Sequence, residues 1–232
     1  MKKIIVAINY AFFDDPKKTE RQDVALEVLC THSEKDIQVV SFNYPWEKIE
    51  LPCKFTLRNN LIRNSQEIIE NNRPLPYIKD ILDGCLEFDC DFFGYINSDI
   101  LLHPEFFSIF NSKKDAYIFY RREIEEVDYD KFMDLRFNQI WGGDQHPGND
   151  AFFFRRDWWI KNRDEYPDDL ILGETEFDTV YRVVTKELTK NYQEARELCH
   201  VFHMPKWTLD SKGALNNIRI WNEIKEKYGV LK

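Results

Sequence analysis

Asn97-Ser98-Asp99 directly follows the apolar run from Phe92 to Ile96. If that run is a central strand, the three polar residues leave its carboxyl end, where ligands of open α/β sheets gather. A carboxylate in that place can bind a hard divalent cation that also takes diphosphate oxygens. The same tripeptide would also serve as an Asx-type turn ahead of Pro104. Three further carboxylates are candidates for proton transfer with a hydroxyl group. Glu174 and Asp178 stand four apart at the expected start of a helix, which sets both along one border of its apolar stripe; acids also gather in first turns because they complement the helix dipole. Asp150 precedes the apolar run 151–154 after a glycine-rich stretch, and could equally cap that loop. Among Arg58, Arg63, Arg73 and Lys79, Arg73 is distinguished by Pro74 and Pro76, which restrict the chain around a guanidinium able to hold a phosphate or stack on a base. Trp141, Trp158, Trp159 and Trp207 offer aromatic faces to an amphipathic ligand, with core packing the simpler role for Trp158 and Trp159.

These residues need elements to hold them. Residues 4–8 read as a strand. Thr19-Glu20-Arg21-Gln22 has the form of a capping box ahead of a helical face of Val24, Ala25, Val28 and Leu29, and Ile37 to Phe42 is rich in β-formers. Leu57, Leu61, Ile62, Ser65, Ile68 and Ile69 follow helical spacing, and Pro74 and Pro76 separate that helix from one carrying Ile78, Ile81, Leu82 and Cys85. Phe92 to Ile96 is continuous enough for a strand covered on both faces. Pro104 to Phe110 reads as a short helix, Ala116 to Tyr120 as a strand, Trp141 to Gly148 as a loop, and Ala151 to Phe154 as a strand. Phe177, Val180, Tyr181, Val184 and Leu188 define an amphipathic helix. His200 to His203 reads as a short strand, and Trp221, Ile224 and Tyr228 line a last helix ended by Gly229. Strands alternating with helices predict an α/β fold with a mostly parallel central sheet covered by helices on both faces.

The 232 residues fit a single domain of this kind. At 43% hydrophobic and 15% aromatic residues the chain is too apolar for disorder, yet its apolar runs fall short of a membrane span. Lys2-Lys3 before Ile4 resembles a signal peptide only briefly, since the apolar run ends at Asn9. A formal charge of −9 opposes nucleic acid as a partner and means that a diphosphate needs a cation or well-placed basic groups to enter. Five cysteines without a C-x-x-C pair predict reduced, mostly buried thiols in a cytoplasmic protein.

The stretch Phe93 to Leu102, then Gly148-Asn149-Asp150-Ala151-Phe152-Phe153-Phe154-Arg155, then Leu172-Gly173-Glu174-Thr175-Glu176-Phe177-Asp178, then His200-Val201-Phe202-His203, stand in the order found in GT-A nucleotide-diphospho-sugar transferases. The chain resembles that family over roughly residues 1 to 210, with residues 211–232 expected as a helix packed on the same domain. The resemblance implies a single GT-A (Rossmann-like) domain and transfer of a sugar, with a UDP-sugar as donor, to a saccharide or other hydroxyl acceptor in surface-polysaccharide or glycan synthesis. By the same resemblance Asn97 and Asp99 occupy the D-x-D positions, with Asn in place of the first acid. His203, or alternatively His200, would complete a Mn²⁺ or Mg²⁺ site with them. Three apart on a strand, the two imidazoles would face opposite sides. Asn9 and Tyr10 would meet the base and ribose, and Arg73, Lys79 and Ser98 would lie along the nucleotide. Asp178, Glu174 or Asp150 would act on the acceptor. Two alternatives stay open: a nucleotidyltransferase of related fold, which normally shows a glycine-rich basic signature where this chain has Asn9 to Asp15, and a non-catalytic nucleotide- or glycan-binding relative.

Overall fold

Alternate residues of the central strands point to opposite faces of one sheet, and both faces are apolar, so the sheet must be covered twice. In β1 (Ile4–Ile8), Ile4, Val6 and Ile8 face one layer while Ile5 and Ala7 face the other. β4 (Phe92–Ile96) divides in the same way, with Phe92 and Ile96 opposed to Phe93 and Tyr95. The structure is a computed structural model that describes residues 2–13, 15–32, 36–51, 54–68, 74–102, 106–124, 144–201 and 211–230.

The remaining strands are β2 (Ile37–Phe42), β3 (Thr56–Arg58), β5 (Ile100–Leu102), β6 (Ala116–Ile124), β7 (Asp144–Arg155) and β8 (Tyr192–Val201). Among the described residues they form one eight-stranded sheet in the order β3-β2-β1-β4-β7-β6-β8-β5. Four neighbouring pairs, β3 with β2, β2 with β1, β1 with β4 and β6 with β8, run parallel; β7 is antiparallel to both of its neighbours and β5 to β8. One layer is supplied by α1 (Pro16–His32) and the turn 106–109, which bury Leu26, Leu29 and Phe106. The other holds α2 (Ile78–Gly84), α3 (Arg156–Asn162), α4 (Phe177–Leu188) and α5 (Lys212–Tyr228), with Ile81, Trp159, Tyr181 and Ile220 in its core. Trp158 and Trp159 are core residues, as their neighbours predict. Among the described residues no helix is long and apolar enough to cross a membrane.

Several local expectations change. α1 starts three residues before Thr19: Pro16 occupies its first position, and Asp15 Oδ1 accepts the Lys17 N–H at 3.0 Å, so Asp15 is the cap and Thr19-Glu20-Arg21-Gln22 is not a capping box. Residues 57–68 do not form a helix, and Ile69 lies outside the described residues. β3 adds to β2, Leu61 N–H bonds Asn43 O, and only a 3-10 turn, Ser65–Glu67, follows, capped by Asn64. Their helical spacing was incidental, and Ile62, which would have faced the core, is 86% exposed. β7 begins at Asp144, so the glycine- and proline-rich segment is strand from that residue onward. α4 begins at Phe177, after Glu176 turns the chain at φ 68°; Glu174 therefore lies outside the helix that was expected to carry it. Cys85 and Cys90 are buried free thiols, and burial pushes Cys90 up to about 11. Cys30 is disulfide-bonded, against the expectation of uniformly reduced cysteines.

Candidate functional site

β1, β2 and β4 are parallel, so the segments that follow them emerge at one edge of the sheet. Behind β1 come Asn9 and Tyr10, behind β2 comes Asn43, and behind β4 come Asn97, Ser98 and Asp99. β7 runs the other way and delivers Asn149 and Asp150 to the same edge, since Ala151 pairs with Ile96. These polar groups stand outside the carboxyl ends of β1, β2 and β4, the place where open α/β sheets hold ligands.

Asp150 is the hub of this edge. Arg121 Nη1 lies 2.8 and 2.9 Å from its two carboxylate oxygens, and the side chains of both partners are almost wholly buried. Asn97 binds Asp150 twice: its Nδ2 donates to Oδ1 at 2.7 Å, and its backbone N–H donates to the Asp150 carbonyl at 3.1 Å. A β-bulge makes this meeting possible. Phe119 pairs with Ala151 but the next residue, Tyr120, pairs with Asn149, so Asp150 is the extra residue of β7.

Asp178, in the first turn of α4, approaches from the helical layer. Its Oδ2 accepts the Asn149 N–H at 2.9 Å and its Oδ1 the Thr179 N–H at 2.8 Å, while the residue stays half-buried. Asn149 Oδ1 is buried without a hydrogen-bond partner among the described residues. Asp178, Asn149, Asp150 and Asn97 thus form a continuous row leading to Asp99, which is half-buried.

At the β1 side the polar groups are bound to one another. Asn9 Nδ2 donates to Phe42 O at 2.6 Å, and Tyr10 N–H to Ser41 Oγ at 3.2 Å. Asn43 Nδ2 donates to Tyr10 O and to Glu47 Oε2, both at 3.0 Å, and Glu47 Oε2 also accepts the Tyr44 N–H at 2.9 Å. Ser98 joins this side through α1: its hydroxyl donates to Gln22 Oε1 at 2.7 Å, and the Gln22 amide clasps Ala11 through both backbone groups. Trp46, stacked on Tyr44 at 4.7 Å with an interplanar angle of 3°, is 58% exposed.

Asn9, Tyr10, Asn97, Ser98, Asp99, Asp150 and Asp178 therefore share one edge. Glu174 does not join them: its Oε2 accepts from Ser211 Oγ at 2.9 Å, and that hydroxyl caps α5 by accepting the Ala214 N–H. A carboxylate expected to act with Asp178 is instead part of a helix cap. Lys79 is committed to Asp168 at 2.8 Å and Asp83 at 3.4 Å. Burial opposes its charge, but the two carboxylates outweigh burial and its pKa is raised. Arg63 pairs with Asp80 over the Tyr77 ring. Arg73, Trp141, His203 and Trp207 lie outside the described residues, and the backbone of His200 pairs with Ile100, next to Asp99. Arg121, Gln22, Asn43, Glu47 and Asn149 were not anticipated.

Among the described residues no three His, Cys, Asp or Glu side chains are grouped so as to hold a metal ion. Asp99 and the Asn97 amide oxygen amount to a partial set. Such a set suits Mg²⁺ or Mn²⁺ only when diphosphate oxygens, waters or a further side chain complete the coordination.

No protein-family model matches the chain, and no curated protein matches it. Among solved structures, residues 1–349 of Staphylococcus aureus TarS in complex with UDP-GlcNAc align with 100% of this chain and 68% of that one, at 10% identity and a TM-score of 0.56. A second structure of Staphylococcus aureus TarS residues 1–349 aligns with 87% of this chain and 60% of that one, at 11% identity and a TM-score of 0.52. The chain shares the fold of these TarS structures. A Streptococcus pneumoniae TIGR4 glycosyltransferase, GlyE, aligns more loosely, with 12% identity over all of this chain and 61% of that one and a TM-score of 0.44. Within this fold, β4 and β7 are the strands that carry the polar row.

Proposed function

We propose that the chain is a glycosyltransferase that moves a sugar from a nucleotide-diphosphate donor to a hydroxyl acceptor. The observation that supports it best is the row Asp178–Asn149–Asp150–Asn97, leading to Asp99, at the sheet edge where β4 ends beside antiparallel β7. The donor is a UDP-sugar, in keeping with the UDP-GlcNAc complex of the similar TarS structure, and the acceptor is a saccharide of a surface polymer or glycan. The nucleotide lies toward Asn9 and Tyr10, and the diphosphate toward Ser98 and Asp99. Asp99, with Asn97 Oδ1 and with His203 from outside the described residues, would hold Mn²⁺ or Mg²⁺, which when bound would offset the negative charge of the leaving diphosphate.

Asp178 takes the proton from the acceptor hydroxyl. Of the three carboxylates considered, it combines partial exposure with a place in the row; Asp150 is almost wholly buried against Arg121, and Glu174 supports a helix cap. Two backbone N–H groups hold the Asp178 carboxylate in place, so its orientation does not depend on a mobile side chain.

The test is calorimetric titration with UDP, GDP and CDP, with and without Mn²⁺, followed by assay of donor hydrolysis. UDP should bind, Mn²⁺ should strengthen binding, and Asp99→Ala should remove that strengthening while leaving the thermal midpoint within a few degrees. Failure of all three nucleotides to bind would overturn the reading. Metal-enhanced binding without turnover would assign the fold to a non-catalytic nucleotide-binding relative.

A further inference from the structure

Asn97 stands where an acid is expected, and its surroundings give a physical reason. An ionised carboxylate only accepts hydrogen bonds, so Asp150 Oδ1 at 2.7 Å must face the Asn97 amide nitrogen. That single contact fixes which way the amide is turned. Asn97 Oδ1 is directed away from the carboxylate, and among the described residues it accepts no hydrogen bond, while the residue as a whole is only half-buried. The backbone bond from Asn97 N–H to Asp150 O holds the same residue from a second point, at 3.1 Å.

We propose that Asn97, Asp150 and Arg121 form one positioning unit, in which the acid expected at position 97 has been moved to position 150 and Asn97 presents a fixed, neutral oxygen beside Asp99. This rests on the nucleotide-sugar reading above for what the oxygen faces, the cation and diphosphate of the donor. Arg121 and Asp150 are positioning residues that act through Asn97. Like-charge repulsion explains the arrangement. Arg121 and Asp150 meet within a nearly closed environment, where their side chains are 9% and 5% exposed. An acid at 97 would bring a second carboxylate to hydrogen-bond distance of the first, an approach that such a site disfavours strongly. The bulge at Asp150 is what brings the relocated acid within reach.

A double-mutant cycle tests the unit. Asn97→Asp should lower the thermal midpoint by roughly 5–10 °C, and Asp150→Asn, which removes the carboxylate that Arg121 Nη1 meets, by a similar amount. The swap Asn97→Asp with Asp150→Asn returns one acid to the pair and should recover more than half of the summed loss. Asn97→Ala removes the amide without adding charge and should cost less than Asn97→Asp; this comparison remains decisive if Asn97→Asp is too unstable to purify. Losses that simply add in the swap, or Asn97→Ala as damaging as Asn97→Asp, would overturn the unit. UDP titration of the swap supplies the readout that a purely structural role would not move: with Asp at both 97 and 99, Mn²⁺ should strengthen UDP binding several-fold more than in wild type. An unchanged metal enhancement would overturn the role given to Asn97 Oδ1. Absence of UDP binding by wild type itself would instead overturn the nucleotide-sugar reading, and the stability cycle would still decide the unit.

Discussion

Glu174 and Asp178 carry the same functional group four residues apart, and they differ in what each one touches. Glu174 accepts from the hydroxyl that caps α5, and Gly213 packs so closely that an added Cβ would stand 2.6 Å from its Oε1. Asp178 instead bonds the backbone of Asn149, in the row that leads to Asn97. Substitution should separate these roles. Asp178→Asn is expected to lower turnover by roughly 10²- to 10⁴-fold with UDP affinity preserved, and Glu174→Gln to lower stability by about 1 kcal/mol or less with turnover nearly unchanged. Steady-state kinetics beside thermal melts would check both; loss of turnover in Glu174→Gln alone would reverse the assignment. At this scale the chain was legible in part. Asp99, Asp150 and Asp178 stand out because carboxylates beside apolar runs are conspicuous. Arg121 does not, because only the bulge at Asp150 brings its guanidinium to that carboxylate, and a bulge leaves no mark on a period-two pattern.

The elements most readable from residue order are those whose period is set by one dominant face or by full burial. Ile37–Phe42 and Phe92–Ile96 are strands with the bounds their apolar runs imply, and Phe177 to Leu188 is the helix its stripe predicts. The segment 57–68 shows the opposite case. Its apolar residues fit a helix numerically, but the backbone finds partners on β2 and Asn43, so tertiary pairing overrides the local pattern. β4 itself depends on a glycine. Gly94 sits where a Cβ would come within 2.1 Å of the Phe152 carbonyl oxygen and 2.4 Å of the Phe153 ring, both on the adjacent strand. Backbone cannot yield as a flexible side chain can. Gly94→Ala should therefore destabilise the protein by about 1–3 kcal/mol or more, with loss of UDP binding as β4 and the row it carries are displaced. Urea unfolding would measure this, and a neutral result would mean that β4 and β7 can separate at no cost.

On the scale of the whole molecule, a two-faced apolar core holds the sheet while its polar edge would, on the nucleotide-sugar reading, face a ligand that shares the sign of the protein's charge. The chain carries −9. Of the basic groups considered for the diphosphate, Lys79 and Arg63 are paired with acids, and Arg121 meets Asp150. Long-range repulsion therefore opposes a free nucleotide and opposes a metal–nucleotide complex less, because the complex carries less negative charge. Salt screens repulsion between exposed charges over about 10 Å at 0.1 M. Raising sodium chloride from low concentration to 0.2 M should then speed the association of UDP in the presence of EDTA, and should alter the association of Mn²⁺–UDP less. Stopped-flow measurement with a fluorescent nucleotide reads both rates. A protein whose lysines and arginines drew in the diphosphate would show the opposite sign, with free UDP slowing steeply as salt rises; that outcome would transfer the role given to the cation to basic side chains.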